Sequence, residues 1–256
     1  MQWTTYLDHV RSDATRLSEV ALLGLEHPVP CCDGWTVRDL VQHLGTVYTH
    51  KSMILEEGWT ERRDQTIAAP DRDVIEWFDS SAAHLLQVLD DHDPSEPIWT
   101  WFEDDQTVGF WYRRMAHESL IHRIDAEQAH GLDSDIDEAF AADGIDEILN
   151  VMMSGAPAWA SCRFTERGAR LEVPGRWWTV RLGSFSGTSP TSGIEYVDEP
   201  TLEVVGTHEE FQAVVSGSAG AVDRWMWGRA TSRQLTIQGD RSIVRDVRAI
   251  AKESTQ

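Results

Sequence analysis

Lysine is nearly missing from this chain: it stands only at Lys51 and Lys252, against twenty arginines. Cysteine is scarce too. Cys31, Cys32 and Cys162 are odd in number, two are adjacent, and no Cys-x-x-Cys occurs, which excludes a disulfide framework. Reduced thiols in a reducing compartment fit that usage. No run of about 18 apolar residues is present, so no membrane span is expected. Residues 1–8 are polar and lack the basic and apolar segments of a secretory leader, so a cytoplasmic location is expected. Basic charge is short: 22 basic residues face 43 acidic ones, a formal net charge of −21. That balance argues against a nucleic-acid surface, which needs clustered cations. It reads instead as the solvated outer faces of acidic helices. The first 150 residues carry 31 acidic and 10 basic residues, and the remainder 12 of each. The asymmetry points to a domain boundary near 150, and 256 residues suffice for two medium domains.

The first half has helical periodicity. Leu7, Val10, Ala14, Leu17, Val20 and Ala21 share a stripe within 4–24. Thr36 with Asp39 three residues on reads as an N-cap and capping-box partner for a helix running to about Glu57. A third helix is expected after Pro70, capped near Asp71 or Asp73 and ended by 90–94. A fourth covers about 108–130, followed by Gly131 where a left-handed C-terminal glycine is favoured. Four such helices predict a four-helix bundle, whose core is a common place for ligands from facing helices. A further helix is expected at about 136–154.

From about 160 the period changes to short, β-branched, turn-bounded segments at 170–173, 177–182, 201–205, 212–215 and 234–237. Helices are expected at 219–227 and 241–251, and the Gly/Ser/Thr-rich stretch 183–193 as a loop. The fold class is thus an all-helical domain, 1–155, followed by a smaller mixed α+β domain, 156–256. Trp177 and Trp178 alternate across a strand, so at most one faces the interior.

The chemistry concentrates on the fourth helix. Glu118, His122 and Asp125 stand at i, i+4 and i+7, so they project from one face. Carboxylate and imidazole one turn apart can grip a divalent ion, and a third ligand must come from elsewhere. His43 on the second helix is the best candidate, His50 the rival and His84 weaker. A three-ligand site leaves a coordination position open, which suits catalysis. The same face admits two other readings: an internal Arg114–Glu118–His122 network, or simple exposure. His117 and His122 lie about 140° apart on a straight helix, so they do not form the zinc-protease pair. His117 reads as a surface or neighbour-packing residue. In the second half, Asp223–Arg229 combines Trp225, Met226 and Trp227 with Arg229, whose planar fork suits a carboxylate.

Three stretches together, Gly34–Leu44, Arg114–Ala126 and Trp225–Arg229 with Gly239-Asp240, resemble the mycothiol-dependent maleylpyruvate isomerase family in order and across nearly the whole chain. The resemblance implies a DinB-like four-helix bundle followed by an α+β domain similar to sterol carrier proteins. It implies a divalent metal, typically zinc, on His43, Glu118 and His122. It implies a place for Asp125 near the thiol cofactor, and for Arg229 at substrate or cofactor. Ile124 departs from the family, many of whose members carry tryptophan there. The implied chemistry is a mycothiol sulfur, held as thiolate at the open metal position, attacking a small electrophile in an isomerase or S-transferase. A metal-activated-water hydrolase and a non-enzymatic small-ligand binder with a structural metal are the competing readings. Expected partners are the small thiol and the electrophile, with neither nucleic acid nor membrane, on a monomer or homodimer.

Overall fold

The computed structural model describes residues 1–68, 73–153, 159–190, 192–206 and 211–255. The chain divides into two units, Met1–Ser134 and Asp135–Gln256. The first holds α1 (Trp3–Ala21), α2 (Val37–Glu56), α3 (Val74–Asp90) and α4 (Val108–Ala129). Each lies within a few residues of its expected span. Local chemistry sets the starts. The Thr36 hydroxyl accepts from the Asp39 N–H while the Asp39 carboxylate accepts from the Thr36 N–H, closing the capping box. Asp73 caps α3 by accepting from the N–H groups of Ile75 and Glu76; the alternative cap, Asp71, lies outside the described residues. Gly131, with φ +67, follows α4.

α1 packs on α3 and α4, and α2 packs on α3 and α4. Val10, Leu17, Leu40, Leu44, Phe78, Leu85, Leu89 and Trp111 fill the space between them, each fully buried. At about 1.5–3 kcal/mol per such side chain, this burial is the main force assembling the bundle. Gly45 lets α2 come close to α3, because a Cβ there would overlap the Trp77 ring. α4 is the innermost helix and is buried on nearly every side, polar residues included. Buried polar groups need partners. Arg123 donates to Asp13 on α1 at 3.1 Å and to Glu127 at 2.8 Å, and Arg16 on α1 donates to Glu127 at 2.9 Å. Tyr48 on α2 meets Ser119 on α4 at 2.6 Å. None of the described helices is long and apolar enough to cross a membrane.

The second unit contains α5 (Glu138–Glu147), continued by a π-helical turn at Ile148–Met153, then β1 (Ser161–Val173), β2 (Arg176–Thr188), β3 (Glu195–Val205), β4 (Ala213–Ser216), α6 (Ala219–Met226), β5 (Thr236–Gly239) and α7 (Arg241–Ser254). The sheet order is β3-β2-β1-β4-β5, with β1 and β4 parallel and the other pairs antiparallel. Trp178 is buried and Trp177 exposed, as strand alternation requires.

The described residues bear on two expectations. The junction at 155/156 lies outside the described residues, and the division falls earlier, between Ser134 and Asp135. Its cause is the packing of α5 on α6: the Glu138 carboxylate accepts from the N–H groups of Ala219 and Gly220 at the start of α6. Asp146 further pairs with Arg176 and accepts from the Trp178 indole. Second, much of the expected 183–193 loop is strand, because β2 runs on to Thr188 against an equally extended β1. Main-chain pairing there outweighs poor β propensity. Gly183 is needed, since a Cβ would fall 2.6 Å from the carbonyl oxygen of Arg163.

Candidate metal centre

α2 and α4 run antiparallel, and their contacts step in opposite directions: residue 43 meets 118 and 122, residue 48 meets 119, and residue 51 meets 111. This register brings His43 to the stripe on α4. His43 Nε2 stands 3.6 Å from Glu118 Oε1, and His122 Nε2 stands 3.2 Å from the same oxygen. One ligating atom from each of the three residues lies within 4.8 Å of the other two. Ligands at 2.0–2.1 Å from a tetrahedral ion are about 3.4 Å apart. The 3.6 and 3.2 Å separations bracket that value, so two imidazole nitrogens and one carboxylate oxygen fit a divalent ion such as zinc.

Glu118 and His122 are each held by a second partner, and His43 packs beside a ring. Arg114 donates to Glu118 Oε2 at 3.0 Å, which leaves Oε1 to face the histidines. His122 Nδ1 donates to Asp125 Oδ2 at 3.2 Å, which fixes the ring and turns Nε2 towards Glu118. The Trp35 ring lies 5.0 Å from that of His43. Trp35 belongs to a turn closed by its own N–H to the Cys32 carbonyl and by the Val29 N–H to the Trp35 carbonyl. The same turn places Cys32 Sγ 4.0 Å from Asp125 Oδ2 and Cys31 Sγ 3.2 Å from Gln128 Oε1. The side chains of His43, Glu118 and His122 are 37%, 21% and 10% exposed, so the cluster opens to solvent on the His43 side. Asp125 is fully buried behind it.

The protonation states follow from these contacts. Burial alone would push the Glu118 carboxyl up, but hydrogen bonds from His122 and His43, with the charges of His122 and Arg114, hold it well below the usual range. Burial would lower His122, yet hydrogen bonds to Asp125 and Glu118 and their charges raise it to about 9. Without an ion, a proton on Nε2 thus occupies the position that a cation would take.

The model of the mycothiol maleylpyruvate isomerase N-terminal domain matches residues 8–127, and that of the corresponding C-terminal domain matches residues 139–244. The chain belongs to the mycothiol maleylpyruvate isomerase family. It is an enzyme of that family. Two solved structures share its fold: a crystal structure of the mycothiol-dependent maleylpyruvate isomerase, 17% identical with a TM-score of 0.58, and one of a histidine-to-alanine mutant, 15% identical with a TM-score of 0.60. Each covers 94% of this chain and 95% of the other. No curated protein matches the sequence. The two family matches meet between residues 127 and 139, where the two units also part.

Of the residues singled out in the sequence, His43, Glu118, His122 and Asp125 come together in the first unit. Arg229 belongs to the second, just past α6, where its guanidinium donates to the Trp227 carbonyl at 2.7 Å. The rival ligands stand elsewhere. His50 packs on Trp59 and meets Lys51, and His84 pairs with Glu56. His117 is buried beside Tyr6. The expected Arg114–Glu118 contact exists together with the convergent donors, so the network and the candidate ion site are one structure. Trp35 and Cys32 escaped sequence reasoning; nothing in the turn's composition says which way it folds.

Proposed function

We propose that this enzyme is a cytoplasmic, mycothiol-dependent isomerase or S-transferase acting on a small electrophile, with a divalent metal, zinc by preference, on His43, Glu118 and His122. The convergence of three donor atoms, with Glu118 and His122 each held from behind, supports the reading most directly. When bound, the ion supplies the positive charge that keeps a thiol sulfur deprotonated at neutral pH. Glu118 offsets part of that charge. His43 and His122 act as neutral donors through Nε2, and Arg114 keeps the second Glu118 oxygen occupied. Asp125, fully buried, acts as a positioning residue that fixes the His122 tautomer. Arg229 is assigned the substrate or cofactor contact that the family motif implies.

Metal content of purified variants tests the ligand set. His43→Ala, Glu118→Ala and His122→Ala should each lose the ion, and His117→Ala should keep it. Full occupancy in Glu118→Ala would overturn the assignment. The thiol is tested by titrating cobalt-substituted protein with mycothiol. A change in the visible spectrum is expected, whereas hydrolysis of ester probes with no thiol response would place the chain among metal-activated-water hydrolases.

A further inference from the structure

Lys51 is a half-buried cation with no counter-ion among the described residues. Its ammonium donates to His50 Nδ1 at 3.0 Å and lies 4.8 Å from the centroid of the Trp111 ring. Among the described residues no carboxylate is within ion-pair distance of it. Burial pulls its pKa down to about 8; the Glu118 charge opposes that shift and Arg114 adds to it. His50 cannot neutralise it, since burial and the nearby Lys51 charge push that imidazole down to about 4 and leave it uncharged. A partly desolvated charge held only by a neutral imidazole and a ring is poorly compensated, and such groups gather where ligands bind. The residue type is informative as well. The chain uses arginine almost everywhere else, but this position carries the compact charge of an ammonium.

Its place in the fold says what the charge faces. Lys51 lies eight residues beyond His43 on α2, and Trp111 lies seven residues before Glu118 on α4. At about 1.5 Å per residue, both put Lys51 roughly 10–12 Å along the α2–α4 seam from the donor cluster. With a divalent ion on the cluster, the ion, Arg114 and Lys51 outweigh Glu118 and Asp125 by two positive charges. One thiolate and one carboxylate would cancel them.

We propose that Lys51 is the anion anchor of this site, a specificity-determining residue that holds a carboxylate at the far end of a short-chain electrophile. The inference rests on the functional reading above. Lys51 selects anionic over neutral substrates, and His50 and Trp111 orient its ammonium without quenching its charge.

The test uses the full-length, zinc-loaded protein, with succinate as an unreactive probe and succinamide as its neutral counterpart. Affinity is read from the melting-temperature shift as a function of probe concentration. Succinate should bind and succinamide should not. Lys51→Met should weaken succinate about tenfold or more, as expected for loss of a charge-assisted hydrogen bond. Lys51→Arg, which keeps the charge, should recover part of that loss and guards against a folding defect in the methionine variant. The mycothiol response of cobalt-substituted Lys51→Met should match that of the wild type. Unchanged succinate affinity in Lys51→Met overturns the proposal, as does a loss confined to Arg229→Ala. If the wild type shows no thiol response while succinate binding still depends on Lys51, the functional reading fails and the anchor stands.

Discussion

At the scale of single residues, the molecule's chemistry depends on groups that position other groups. Asp125 touches no solvent, yet its carboxylate decides which His122 nitrogen points outwards. Asp125→Asn should lower metal affinity about 10- to 100-fold, as losses of such outer partners do; competition with a calibrated chelator measures it. An unchanged affinity would mean that packing alone orients the ring. Asp13 makes a second prediction. Burial pushes its carboxyl up to about 6 from 3.8, with Arg123 opposing the shift. The folded chain therefore binds more protons than the unfolded one between those values, so this group's stabilisation is complete below about pH 4. It is lost as pH rises through 6, over a span of about 3 kcal/mol at most. Denaturant unfolding from pH 4 to 7 should show that decline, and Asp13→Asn should flatten it.

At the scale of helices and strands, what could be read in the sequence was what neighbours in sequence determine. The Thr36–Asp39 cap needs three residues and a turn, so the start of α2 was legible. The Glu118, His122 and Asp125 face needs only the helical repeat. Trp35 against His43, and Lys51 against Trp111, depend on the fold of a turn and on the antiparallel register of α2 with α4, which no local pattern encodes. The long arms of β1 and β2 were missed because pairing, rather than composition, makes them strands. The α2–α3 contact yields a prediction of its own. Gly45→Ala puts a methyl into the Trp77 ring and should destabilise the bundle by about 1–3 kcal/mol. Combining it with Trp77→Leu should restore part of the loss. Because His43 sits two residues from this contact, the single variant should also bind zinc less tightly; full stability in Gly45→Ala would show that α2 shifts without strain.

At the scale of the whole chain, charge density and packing change at different residues. The step in charge density near 150 is real, but α5 and its acidic residues belong to the second unit through Glu138 and Asp146. With the division after Ser134, the first unit carries 25 acidic and 10 basic residues and the second 18 and 12, so both are acidic. The proposed ligands all lie in the first unit. There α1 and α4 are joined by the chain Arg16–Glu127–Arg123–Asp13, buried apart from Arg16, which involves none of them. Protein stripped by a chelator should therefore keep its helical circular dichroism and a single cooperative melt, and a collapse of either would show that the ion builds the bundle. A scaffold assembled this way outlasts its cargo. If the proposed ion is what makes the enzyme active, protein deprived of it would persist as a folded reserve, returned to service by uptake of the ion without new synthesis.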